Sequence, residues 1–145
     1  MTTTTQATIE TIMTRNPVVI SMGTSLAELA EVLEGNQISG VPVVDPHEQI
    51  VGVVSKTDLV SRLVEGGRAG FLPDLARAAS DLEEPLGSVD DIMTGDPVTA
   101  VPTDSIASVA RRMASECVHR VIVIDAERRP VGVVTTLDVL GVFPG

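Results

Sequence analysis

One block of this sequence is written twice, at a fixed offset of eighty residues and without a gap. Ile12-Met13-Thr14, followed by Pro17-Val18, returns as Ile92-Met93-Thr94 followed by Pro97-Val98. Val51-Gly52-Val53-Val54 and Asp58 return as Val131-Gly132-Val133-Val134 and Asp138. Between these anchors Leu26, Leu29, Ala30 and Leu33 map onto Ile106, Val109, Ala110 and Met113. Self-similarity at a fixed period makes the repeated unit, rather than the whole chain, the object to be read. Two copies predict like halves about a pseudo-twofold axis, with a cleft between them as the place to look for function.

Within the first copy, Ile9 to Met13 predicts a helical turn, which ends because Asn16 precedes a proline. Val18 to Ile20 reads as a short strand. Thr24 or Ser25 then caps a helix, Ser25 and Glu28 having the spacing of a capping box, and Gly35 closes it. Val41 to Val44 and Ile50 to Val54, either side of the polar Asp45-Pro46-His47-Glu48, read as an antiparallel hairpin. A second helix starts at Lys56 or Thr57 and carries Leu59, Val60, Leu63 and Val64 on one face. The second copy predicts strand 98–100, helix 104–116, strands 121–124 and 131–134, and a last helix from Leu137. The unit is βαββα. Residues 1–8 read as a disordered tail, 9–65 and 89–145 as the repeats, and 66–88 as a linker with a short helix over 75–82.

At 145 residues the chain has the length of one compact domain. Its core must be built from aliphatic residues, since Phe71 and Phe143 are the only aromatics. No run of apolar residues reaches the roughly 18 needed to cross a bilayer, and the start has no signal-peptide pattern. A lone Cys117 excludes a disulfide framework. A cytoplasmic protein is expected, with no membrane partner. The formal net charge of −10 speaks against a nucleic-acid binder, which needs a basic face. Half of the ten basic residues, Arg111, Arg112, Arg120, Arg128 and Arg129, lie in the second copy, where they either hold a small anion or are ordinary solvated arginines of a helix and a turn, the latter being the favoured reading for any one of them.

Taken together, Ile-Met-Thr-x-x-Pro-Val at the head of both copies, Gly40 to Asp45, His119 to Asp125, and Gly-Val-Val-(Ser/Thr)-x-x-Asp closing each copy (Gly52 to Asp58, Gly132 to Asp138) resemble the tandem cystathionine-β-synthase (CBS) domain pair, or Bateman module. The resemblance covers about Ile9 to Val142. It implies an α/β (α+β) fold of two βαββα repeats about a pseudo-twofold axis, with sheets flanked by helices. It also implies dimerisation through helices, and binding of AMP, ADP, ATP or S-adenosylmethionine between the repeats in the service of regulation rather than catalysis.

The same resemblance assigns roles to residues. Asp58 and Asp138 would take the ribose hydroxyls, since a carboxylate accepts both through charge-assisted hydrogen bonds. An Asp in a helix's first turn also has a purely structural explanation in the helix dipole. Ser55, Thr57 and Thr135 stand where hydroxyls cap a helix or meet a phosphate; the second copy has Leu137 in place of Thr57. His119 and Arg120 would face phosphate, where the first copy has only Ser39 and Gly40. Thr14, Val18, Thr94 and Val98 flank the first strands and would line the adenine pocket.

No enzyme is expected. Cys117 and His119 lack an orienting carboxylate, His47, His119 and Cys117 have no metal-ligand spacing, and phosphate-loop and nucleophile-elbow motifs are absent. The reading is a stand-alone regulatory module, homodimeric, with no required cofactor, that binds an adenosine-containing ligand and acts in trans on an unidentified effector protein. The alternative is a ligand-free structural module for dimerisation or protein interaction.

Overall fold

In a computed structural model of the chain, which describes residues 7–65 and 87–142, the two copies fold alike. The first copy supplies β1 (Thr14–Arg15), β2 (Ile20–Ser21), α1 (Leu26–Gly35), β3 (Gly40–Val44), β4 (Ile50–Ser55) and α2 (Lys56–Glu65). The second supplies α3 (Val89–Ile92), β5 (Thr99–Ala100), α4 (Ile106–Glu116), β6 (Arg120–Ile124), β7 (Pro130–Thr135) and α5 (Thr136–Leu140). A 3-10 turn over Ile9–Thr11 stands where α3 stands in the second copy. The mixed α/β architecture with helices flanking two sheets is the one expected. The linker helix over 75–82 and most of the tail lie outside the described residues; Ala7 and Thr8, at the tail's end, are hydrogen-bonded to the segment around Ser105.

One sheet has the order β1-β7-β6-β5 and the other β2-β3-β4. β5 runs parallel to β6 and β2 parallel to β3, β6–β7 and β3–β4 form the antiparallel hairpins, and β1 joins the first sheet antiparallel to β7. Val18 and Val19 stay outside β2 and are 37% and 41% exposed. Ile122 donates its N–H to the Val98 carbonyl, but Pro42, its counterpart on β3, has no N–H to give Val18. Ser25 and Ser105 cap α1 and α4 by accepting from the Glu28 and Ser108 amides. Of the expected Ser25–Glu28 box only the serine half forms; full boxes close at Ser88–Asp91 and Thr135–Asp138. On α2, Leu59 and Leu63 are fully buried, whereas Val64 is half exposed.

Left-handed backbone also repeats at the offset of eighty, and at residues that do not demand it. Asn16 and Asp96, Gln37 and Cys117, and Glu48 and Arg128 all have φ between 49° and 67°. Gln37 and Cys117 end the two long helices, where Ile38 and Val118 donate back to the Leu33 and Met113 carbonyls. Glu48 and Arg128 are held in the hairpin turns by Asp45 and Asp125. Each carboxylate accepts two backbone N–H groups, from His47 and Gln49 and from Glu127 and Arg129. The bond from the Arg129 amide is the main reason that the Asp125 carboxyl is held below its ordinary pKa. A side chain in this region costs roughly 1–2 kcal/mol relative to glycine, partly offset by glycine's freedom in the unfolded chain. Arg128→Gly is therefore expected to gain about 0.5 kcal/mol in urea unfolding; a loss would show that the turn holds Arg128 without strain.

The described chain divides into two compact units, and each has its own apolar core. Residues 18–65 with 87–96 form one, around Leu29, Leu33, Val41, Val54, Leu59, Leu63 and Val89. Residues 7–17 with 97–142 form the other, around Ile9, Val109, Met113, Val121, Val134 and Val139. The leading segment of each copy thus belongs to the body of the other. Ile9 donates to the Asp104 carbonyl, and its counterpart Val89 donates to the Thr24 carbonyl, both at 2.9 Å. Thr8 bridges Ser105 as Ser88 bridges Ser25.

Candidate functional site

In the unit of residues 7–17 and 97–142, antiparallel pairing sets Thr14 opposite Val133 and Arg120 opposite Thr135. Side chains of directly paired residues share a face, as do residues two apart on one strand. Thr14, Val133, Thr135, Arg120 and Ile122 therefore lie on one face of the sheet, with Val98 bonded to Ile122 beside them. At the end of β7, Thr135 caps α5 and Asp138 closes the box: Asp138 Oδ2 accepts from the Thr135 amide at 2.8 Å and from its hydroxyl at 3.0 Å. Every hydrogen bond that this carboxylate makes among the described residues falls on Oδ2, so Oδ1 is open to a ligand.

The other unit repeats the arrangement. Gly40 pairs with Ser55, and Thr94 bridges Val53 through two backbone hydrogen bonds of 2.9 and 3.0 Å. Asp58 Oδ2 accepts from the Ser55 amide and hydroxyl at 2.8 and 2.9 Å. Val18 leads into this unit, and Thr57 stands next to Asp58 on α2. The pairing of candidates is crossed. Thr14 joins the residues around Asp138, and Thr94 joins those around Asp58.

Two motifs that the sequence shows separately turn out to be the two sides of one contact. A Cβ on Gly52 would stand 2.7 Å from Met93 Sδ and 2.9 Å from the Thr94 carbonyl oxygen. One on Gly132 would stand 2.5 Å from Met13 Sδ and 3.1 Å from the Thr14 carbonyl oxygen. The Ile-Met-Thr segment of one copy thus lies directly on the glycine of the other copy's Val-Gly-Val-Val strand.

His119 and Arg120, adjacent in sequence, part company. Alternation along β6 turns Arg120 to the face of Thr14 and Thr135, and burial there lowers its guanidinium pKa from the ordinary value while leaving it charged at neutral pH. His119 is exposed and lines an open groove of about 490 Å³ between α4 and α5, with Ala110, Met113, Cys117, Val139 and Leu140. The other clustered arginines are dispersed as well. Arg112 donates to the Thr99 carbonyl and pairs with Asp104, Arg129 pairs with Glu127, and Arg111 is exposed on α4. No group of three or more His, Cys, Asp or Glu among the described residues is placed to hold a metal. No helix among them is long and apolar enough to cross a membrane.

The CBS domain family model matches twice, over residues 9–65 and 89–145, the two halves whose strands and capped helices are described above. The chain belongs to the CBS domain family. Among curated relatives, this CBS pair is 26% identical over 137 residues to the L-aspartate semialdehyde sulfurtransferase of Methanocaldococcus jannaschii. It is 30% identical over 131 residues to the homoserine O-acetyltransferase of Methanohalobium evestigatum. It aligns over 94% and 90% of its own length, but spans only 23% of each of these enzymes. Among solved structures, CBSX2 in complex with AMP is 26% identical, with a TM-score of 0.74 and coverage of 93% of this chain and 94% of that one. The CBS domain pair of the protein MJ0100, in complex with 5′-methylthioadenosine and S-adenosyl-L-methionine, shares the fold at a TM-score of 0.75 and 24% identity, covering 94% and 95%.

Proposed function

We propose that this CBS pair is a regulatory module that binds an adenosine-containing ligand at the Asp138 and Asp58 faces and passes its occupancy to a partner protein. The observation that carries the reading is the divided use of each carboxylate. Oδ2 is committed to starting a helix, while Oδ1, with two lone pairs, would accept both hydroxyls of a ribose. Thr14 and Val98 in one unit, and Thr94 and Val18 in the other, would flank the base. The AMP complex of CBSX2, whose crystallised chain shares this fold, supports the ligand class. Binding, rather than turnover, is the role these residues suit. Leu140, 64% exposed at the groove between α4 and α5, and Leu137, 77% exposed on α5, support a homodimer through these helices.

Asp138→Asn tests the reading. The variant keeps a carbonyl oxygen to accept from the Thr135 amide and loses the charge, so ligand binding should weaken about tenfold or more. Asp138→Ala would also remove the carboxylate half of the capping box, leaving the Thr135 amide and hydroxyl without their acceptor, and is the poorer probe. A ligand at a hundredfold excess over its Kd adds about 2.7 kcal/mol to folding, readily seen as a rise in Tm. If AMP, ADP, ATP, adenosine and S-adenosylmethionine all leave the Tm of nucleotide-stripped protein unmoved, the reading is wrong.

A further inference from the structure

The last helices of the two copies differ in length, and the shorter one leaves a helical face open. In the first copy α2 runs on past Val60 to Glu65, and Leu63 on its second half is fully buried in the core with Leu29, Ala30 and Leu33 of α1. In the second copy α5 stops at Leu140, the counterpart of Val60. Ala30 is fully buried, while its counterpart Ala110 is partly exposed and lines the groove of about 490 Å³ between α4 and α5. The two faces differ in charge as well. On α1, Glu28 and Glu31 are exposed and have no ion pair among the described residues, and Glu34 is already engaged. Their counterparts on α4 are Ser108, Arg111 and Ala114. Arg111 is exposed and likewise without an ion pair, whereas Arg112 is taken up by Asp104 and the Thr99 carbonyl. The remaining charges stand away from the helix middles: Glu116 ends α4, Lys56 and Asp58 begin α2, and Asp138 begins α5. Arg62 of α2 donates to the Asp91 carbonyl.

We propose that the α4–α5 groove is the seat for the α1–α2 face of a second copy, so that the homodimer joins unlike faces. The proposal rests on the reading above that the chain dimerises through helices. Glu31 and Arg111 stand midway along α1 and α4, so helices that cross at their middles bring the two together. Two α1–α2 faces in contact would set Glu28 and Glu31 against the same carboxylates, and like charges in register repel. Two grooves in contact would set Arg111 against Arg111 and leave a hollow on each side, its lining short of van der Waals partners. Unlike faces avoid both. Val60 and Val64, one turn apart on α2 and partly to half exposed, bring apolar surface to the hollow, and Arg111 meets a carboxylate. Two such contacts, exchanged reciprocally, close a dimer.

Sedimentation equilibrium of the full chain and of three charge variants tests the pairing. Glu31→Arg and Arg111→Glu should each weaken self-association about tenfold or more, because each sets like charges at the contact. The two substitutions combined should return the association to within about threefold of the parent, since the ion pair is then restored in reverse. Both positions are exposed on helices, so far-UV circular dichroism should show all three variants folded. A dimer that either single substitution leaves as tight as the parent, or that the combination fails to restore, overturns the pairing of unlike faces and leaves the homodimer standing. A parent that stays monomeric at every concentration overturns the homodimer as well and leaves the groove to a different protein. Ligand binding is read separately, by the rise in Tm described above.

Discussion

Ile9→Ala is expected to cost about 2–4 kcal/mol of folding stability, as much as a truncation in the middle of a core. Ile9 is 0% exposed although it stands near the start of the chain, and it packs with Val109, Val121 and Val134 of the second copy. Its amide is tied to the Asp104 carbonyl, and Ala7 accepts from Ile106, so the segment cannot slide to fill the space that a shorter side chain leaves. Urea unfolding of the variant beside Glu10→Ala, a change at an exposed neighbour, separates burial from local helix propensity. A loss under about 1 kcal/mol for Ile9→Ala would mean that the leading segment is not seated in that core.

Gly132→Ala and Gly52→Ala should each lose about 1–3 kcal/mol, the range for forcing an extra methyl into a filled site. The Met13 and Met93 thioethers can swing aside, but the Thr14 and Thr94 carbonyls cannot, because Thr94 is pinned to Val53 and Thr14 is paired with Val133. Gly52→Ala is the more telling of the two, since its Cβ would meet that carbonyl at 2.9 Å. Met93→Ala in the Gly52→Ala background should recover part of the loss, and the double-mutant cycle measures how much of it belongs to this contact. Simple additivity would show that the methionine and the glycine do not meet.

The repeat, the order of elements and the capped helices were legible in the sequence because they depend on local period and on residues that start or stop a helix. The alternation Arg120-Val121-Ile122-Val123 likewise sets Arg120 and Ile122 on one face of β6, while His119 precedes the strand and stands outside that alternation. The crossing of the leading segments was not legible. Ile12-Met13-Thr14 would fit Gly52 or Gly132 equally well by sequence, because both glycines sit in the same motif, and only the three-dimensional chain path decides between them. Nor did Gln37, Cys117, Glu48 or Arg128 announce a left-handed backbone, which the surrounding hydrogen bonds impose on residues that do not favour it. One compact domain was the expectation from length; two cores are what the segregated aliphatic clusters make.

What the gene duplicates is not what folds. Each copy has a leading segment lodged in its sister's body and a glycine seat covered by the sister's Met-Thr. Loss of either copy by deletion would leave the survivor with an orphaned segment and an uncovered strand. Selection on one copy's glycine is therefore selection on the other copy's Ile-Met-Thr, and the two must travel through evolution as an indivisible pair.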